Sequence, residues 1–253
     1  MLDEIPSASQ LAYTFASEIR NFLNMLTKEY GVECSIVGDM RELIDDPKLF
    51  KEKVEYYIGA VRKGLVEGSE HKSLLKLRNY FVYSHEIYIM CRIADYIINE
   101  GAKLLSRKIC IIPGMYSTKP FRNNMKFELG NMHISIIYQP LILDLCRKMF
   151  RPDIIIIGGR YDYPFVIDSK GVLIPPFVNH RVIVADVKVL VRNRDVSQLL
   201  TYEKLFRSGS VFMLFSLTGI PDRFRSKLHR WKIIVNRDFR KELIEGLKKI
   251  VLG

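Results

Sequence analysis

The chain has 253 residues, with 39 Lys and Arg against 28 Asp and Glu and a formal net charge of +11; its sequence pI is near 9.4. A hydrophobic content of 48% is ample for a packed core and excludes a disordered chain, while the basic balance favours an acidic partner. No apolar run approaches the roughly 20 residues a membrane-spanning helix needs: the longest candidate, His133 to Leu145, is broken by Gln139, Pro140 and Asp144.

The opening MLDEIPSASQ carries two acids and lacks the basic-then-apolar layout of a secretion signal. Cys34, Cys91, Cys110 and Cys146 are scattered, with no CxxC pair and no Cys/His cluster. Neither a disulfide scaffold nor a structural zinc site is expected, and an intracellular, cytoplasmic setting follows as the default. The richness in Lys, Arg and Ile hints at a thermophilic source.

Residues 8 to 105 read mostly helical: Leu11 through Leu26, a looser stretch from Pro47 to Val66, and a long one from Ser73 to Leu105 repeat apolar residues at helical spacing. We divide the chain into a helical N-terminal region, 1–70, and a sheet-bearing domain, 71–253. Ile109 to Ile112 and Met132 to Tyr138 read as strands, with the basic, Asn-rich Ser117 to Lys126 as a loop between them. Leu141 to Phe150 is expected to be helical. Ile154 to Ile157, four consecutive isoleucines, suits a strand buried on both faces, closed by a turn at Gly158-Gly159. Phe165 to Ile167 and Val172 to Ile174 read as a hairpin, and Arg181 to Val191 as a longer strand. A helix from Ser197 to about Phe206, a strand from Val211 to Leu217 and an amphipathic helix from Phe239 to Leu252 complete the order. The fold class is α/β, a mixed central sheet flanked by helices.

Three charged positions interrupt this apolar pattern. Asp153 follows Pro152 at the mouth of the isoleucine strand. Asp186 and Lys188 lie two apart in Val-Ile-Val-Ala-Asp-Val-Lys-Val, hence on one strand face, with Ala185, Val187 and Val189 on the other. Burying unpaired charge costs roughly several kcal/mol, so such a pair needs a purpose. Glu86 sits on the helical stripe of Val82, Ile89, Met90, Ile93 and Ile97, a core-facing stripe for an acid. Glu86, Asp153 and Asp186 together can offer hard oxygen ligands to Mg²⁺ or Mn²⁺, with Lys188 as a neighbouring cation. Phosphodiester hydrolysis is the chemistry such a set suits.

Pro152-Asp153, then Asp186-x-Lys188, then Gln198-Leu-Leu-Thr-Tyr202 resembles the PD-(D/E)xK nuclease superfamily, of restriction-endonuclease-like αβββαβ fold. The Gln-x-x-x-Tyr element is similar to that of the RecB-type branch, which includes CRISPR-associated adaptation nucleases. The helix with Tyr83 and Glu86, followed by Arg-Pro-Asp, also looks like the nuclease subunit of modification-dependent restriction systems. The resemblance covers residues 75 to 218. It implies that Glu86, Asp153 and Asp186 bind metal, that Lys188 is the catalytic cation, and that Gln198 and Tyr202 contact DNA or hold the lysine. The first motif is the loosest in the superfamily, so Glu128 rivals Glu86. The segment Tyr161 to Pro176 is extra within the 33-residue step from Asp153 to Asp186.

The basic residues divide into groups. Arg192 and Arg194 follow the Asp-x-Lys strand and would flank a scissile phosphate; Arg223, Arg225, Lys227, Arg230 and Lys232 form a second cluster that is equally well a solvated surface. Arg62, Lys63, Lys72, Lys76 and Arg78 read as ordinary for an exposed helix. His85 reads as structural. No phosphate-cradling glycine loop and no nucleophile elbow is present. The expectation is a divalent-metal-dependent deoxyribonuclease of repair, recombination, restriction or viral DNA processing, with a homodimer as the expected assembly. The alternatives are a non-catalytic nucleic-acid-binding or structural module on the same fold, and a Holliday-junction-resolving variant.

Overall fold

The structure is a computed structural model that describes residues 2–5, 7–63, 69–114, 124–140, 142–143, 149–159, 166–167, 173–174, 181–206 and 208–252.

Helix α1 (Ala8–Tyr30) buries Ala8, Ala12, Phe15, Ala16, Ile19, Phe22 and Leu26, a stripe at three- and four-residue spacing. A short strand β1 (Glu33–Ile36) and a helix α2 (Met40–Asp45) follow. Helix α3 (Pro47–Arg62) starts where the Asp46 side chain accepts the Lys48 and Leu49 N–H groups, with Pro47 in the first turn, where its missing donor is not needed. The long helix α4 (Ser69–Asn99) covers the predicted Ser73 stretch. Strand β1 has no counterpart in the sequence reading. Only Ile36 of its four residues is buried, so no alternation marks it, and its pairing partner is distant: it runs parallel to β3 (Lys108–Ile111), beyond β2 (Lys103–Leu104).

The central sheet adds β4 (Asn124–Leu129), β5 (Met132–Tyr138), β8 (Ile154–Gly159), β11 (Val182–Lys188), β12 (Val211–Ser216) and β13 (Trp231–Val235), separated in part by the small strands described next and by α5 (Asn193–Leu205) and α6 (Asp222–Arg225). Its order is β13-β12-β11-β8-β5-β4-β2. β2, β4, β5, β8 and β11 are antiparallel neighbours, whereas β11, β12 and β13 run parallel. The chain is therefore a mixed α/β protein.

Several expectations are corrected. Asn124 to Lys126 belong to β4, because Asn124 and Met125 turn inward and pair with Ile137 and Ile136. Gly158 and Gly159 extend β8 rather than turning, because β5 offers Ile134 and His133 as ladder partners. The helix expected over Leu141 to Phe150 is not formed at its described positions. Ile142–Leu143 (β6) and Met149–Phe150 (β7) pair antiparallel, and β6 also pairs with β10 (Leu173–Ile174), itself paired antiparallel with β9 (Val166–Ile167). The β9·β10 pair lies where the sequence predicts a hairpin. Asp144 to Lys148 and most of the extra segment lie outside the described residues.

Both faces of the sheet are covered, as the isoleucine run requires. Ile154 and Ile156 join Ala185, Val187, Met213 and Phe215 in a core shared with α1, α4 and α7 (Arg240–Leu252). Ile155 and Ile157 join Val184, Leu214 and the α5 residues Leu199 and Tyr202 on the other face. The first core is continuous from the N-terminal helices to the sheet. Among the described residues no helix is long and apolar enough to cross a membrane.

Candidate active site

At the C-terminal end of β11 the two helical layers part, and a cleft of about 420 Å³ opens between α4 on one face and the start of α5 on the other. Glu86 and Arg78 of α4 line it, with Lys188 at the end of β11 and Arg192, Arg194 and Gln198 at the entry to α5. Asp153 reaches the same point because β8 runs antiparallel to β11: Ile154 pairs with Ala185, which sets the preceding residue level with Asp186.

Asp186 is fully buried, and its Oδ2 lies 2.6 Å from Lys188 Nζ. Neither Asp186 oxygen, however, has a well-aligned hydrogen bond. Asp153 Oδ2 accepts the Val187 N–H at 2.7 Å and lies 3.4 Å from the same ammonium. Burial, reinforced by the Asp153 charge, raises the Asp186 carboxyl to about 8. Burial opposes the charge on Lys188, but attraction from Asp153 and Asp186 outweighs it and holds the ammonium well above its usual range.

Glu86 is buried, and its Oε2 accepts hydrogen bonds from the Tyr138 hydroxyl at 2.9 Å and the Gln139 Nε2 at 2.6 Å. Burial, then repulsion from Asp153, raises it to about 8 against those hydrogen bonds and the Lys188 charge. No ion pair to Arg92 or Lys188 forms among the described residues. The rival Glu128 pairs with His133, which pairs with Gly159 at the far end of β8. That places Glu128 about 20 Å along the strands from Asp153.

Gln139 organises this end of the sheet. It is buried with φ 47°, a left-handed conformation rare for a residue with a side chain. Its N–H donates to the Asp153 carbonyl at 2.7 Å. Its Oε1 accepts the Gly114 N–H at 3.2 Å, which fixes the amide so that Nε2 faces Glu86. Gly114, φ 70°, has to be glycine: a Cβ there would lie 2.5 Å from the Tyr83 hydroxyl. In sequence Gln139 shows only as a polar break in an apolar run followed by proline. That break is its one signal.

Gln198 Nε2 donates to the Tyr202 hydroxyl at 2.5 Å, the i, i+4 relation expected on one helix face. Tyr202 is fully buried. Burial, then the charges of Asp186 and Asp153, pushes its hydroxyl up, which places the ring beside the acids. Asp195 accepts the Arg192 N–H at 2.8 Å, closing the first turn of α5 and presenting Arg192 and Arg194 to the cleft.

Two other groups lie elsewhere. His85 stacks on Phe15 with ring centroids 5.0 Å apart, and burial lowers it to about 3, so it is a neutral core group. The second basic cluster is largely partnered: Arg225 with Asp222, Arg230 with Glu203, Lys232 with Glu245. Trp231 pairs with Phe212 at the start of the parallel strands, the end away from Lys188. Arg78, expected to be exposed, is half-buried in the cleft wall.

Among the described residues, no group of three or more His, Cys, Asp or Glu side chains is drawn together as a ready metal cage. The donors that fit a hard cation are the two aspartates: the buried oxygens of Asp186 have no well-aligned hydrogen bond, and the Lys188 ammonium, 2.6 Å from Asp186 and 3.4 Å from Asp153, shows that a cation is accommodated between them. No protein-family model matches the chain, and no curated protein or solved structure matches it significantly.

Proposed function

We propose that the chain is a divalent-metal-dependent nuclease that hydrolyses DNA phosphodiester bonds in this cleft. The observation that carries the reading is the junction of Asp153, Asp186 and Lys188, an acid-acid-ammonium cluster in which Lys188 lines a cleft together with Arg192 and Arg194 and the two aspartates lie behind it. Buried charge of this kind is costly for stability alone. A subset of the elements supports it: with the intervening strands β2–β4, β6, β7, β9 and β10 set aside, α4, β5, β8, β11, α5, β12 resemble the αβββαβ succession of restriction-endonuclease-like proteins, with Asp153 before the second strand of that set and Asp186-x-Lys188 on the third.

In this reading Asp153 and Asp186 hold Mg²⁺ or Mn²⁺ and Glu86 stands behind them as a third acid. Such an ion supplies a water of lowered pKa and polarises the phosphoryl oxygen. Lys188, 2.6 Å from Asp186 and 3.4 Å from Asp153, would supply a cation beside such an ion that stabilises the negative charge building on phosphorus. Gln198 and Tyr202 close the wall behind Lys188, and Arg192 and Arg194 hold the flanking phosphates.

The test is incubation of labelled linear, single-stranded and branched DNA with Mg²⁺, Mn²⁺ or EDTA. Cleavage with the ions and none in EDTA is expected. Salt-sensitive binding without cleavage under either ion would instead make the chain a recognition module on this fold.

A further inference from the structure

Among the buried groups that the proposed reaction leaves without a partner, Arg78 is one that lines the cleft itself. It stands two helical turns before Glu86 on the stripe Arg78, Val82, Glu86, all three facing the cleft. The distance along the axis is about 12 Å. Its Nε is buried without a hydrogen-bond partner, and it makes no ion pair among the described residues. Buried donors left unsatisfied are rare in native proteins and call for a ligand or a water.

The neighbouring charges do not supply one. Lys76, on the same helix, is held by Asp39. Glu86 spends its Oε2 on Tyr138 and Gln139. Asp195 serves the Arg192 N–H and pairs with Arg194 at 3.8 Å. Thus a guanidinium with unspent donors faces, across a cleft, the ammonium of Lys188 and the side chain of Arg192. The missing partner is an anion, and the planar fork of arginine matches the two oxygens of a phosphate.

We infer that Arg78 binds a backbone phosphate of the substrate and anchors it on the α4 wall, opposite Arg192. The inference rests on the nucleic-acid reading of the cleft and assigns Arg78 to binding rather than to chemistry. The experiment measures affinity for a fluorescent DNA oligonucleotide in EDTA, from 50 to 200 mM salt, for wild type, Arg78→Gln and Arg78→Lys, with thermal melting to check the fold. Arg78→Gln is expected to bind about 10-fold more weakly and to flatten the slope of log affinity against log salt by about 0.7–0.9, the change that follows from neutralising one phosphate fewer. Arg78→Lys keeps the slope and binds with an affinity between the two; it carries the test alone should the glutamine variant not fold. In cleavage assays KM rises while kcat changes little.

Wild-type affinity in either variant, a wild-type slope in Arg78→Gln, or a fall in kcat at constant KM would overturn the inference. If wild type cuts, Asp186→Ala does not and Arg78→Gln matches wild type, only the Arg78 assignment falls. If wild type neither binds nor cuts DNA, the nuclease reading falls and takes the assignment with it.

Discussion

Gln139 donates from Nε2 to Glu86 Oε2 at 2.6 Å from a backbone held at φ 47°. A strained residue that bonds an acid on α4, the Asp153 carbonyl and Gly114 is a positioning residue: it fixes the height of Glu86 against Asp153.

Gln139→Gly relieves the backbone strain but removes the side-chain bonds, and leaves a buried carboxyl with one donor fewer. Losing such a bond costs about 1–3 kcal/mol. Cleavage is expected to fall about 10- to 100-fold, by analogy with the loss of groups that orient metal ligands. Urea unfolding and single-turnover kinetics check both. A variant with wild-type rates would remove Gln139 from the site.

The Lys188 pairing gives a prediction that depends on pH. With Lys188→Met the two aspartates lose their counter-ion, and the cost is smallest where Asp186 keeps its proton. Since Asp186 sits near 8, the stability lost in Lys188→Met should be larger at pH 9 than at pH 6. Breaking a buried pair costs about 3–5 kcal/mol at the limit. A pH-independent loss would mean that the ammonium is not neutralising these acids.

Glu86 supplies a second one. Its folded value near 8 lies above the ordinary 4.5, so the native state holds an extra proton between the two. Its contribution is therefore complete below about 4.5 and is lost as pH rises through 8. His85 acts in the opposite sense, losing stability as pH falls from 6.5 toward 3. Between pH 6.5 and 8.5 the carboxyls dominate, and metal-free protein should weaken as pH rises, less steeply in Glu86→Gln. Equal slopes in urea titrations of the two proteins would contradict this.

Features with local periodicity are the ones legible in the sequence. Met132 to Tyr138 is a strand at those bounds, and the isoleucines of β8 alternate between two cores as a doubly covered strand must. Asp153, Asp186, Lys188, Gln198 and Tyr202 meet because β8, β11 and α5 are adjacent, which the motif order anticipates. The rest depends on distant partners. β1 exists through pairing with β3, and the glycines of β8 are held in the ladder by His133 and Ile134. Gln139 reads as an interruption because its importance lies in where three hydrogen bonds end. Arg78 reads as solvated because charge alone does not tell which side of a helix meets a cleft.

The most direct test of a metal-dependent nuclease centred on Asp186 and Lys188 is single-turnover cleavage of labelled DNA in Mg²⁺ and in Mn²⁺ by wild type, Asp186→Asn and Lys188→Ala. Asp186→Asn keeps the shape of the buried side chain but takes one partner from Lys188, so thermal melting has to show that the variant is folded under the assay conditions. Wild type should cleave only with metal, and both variants should be slower by at least about three orders of magnitude, the scale of removing a group that stabilises transition-state charge. Undiminished cleavage by a folded Asp186→Asn would contradict the assignment of this carboxylate to catalysis.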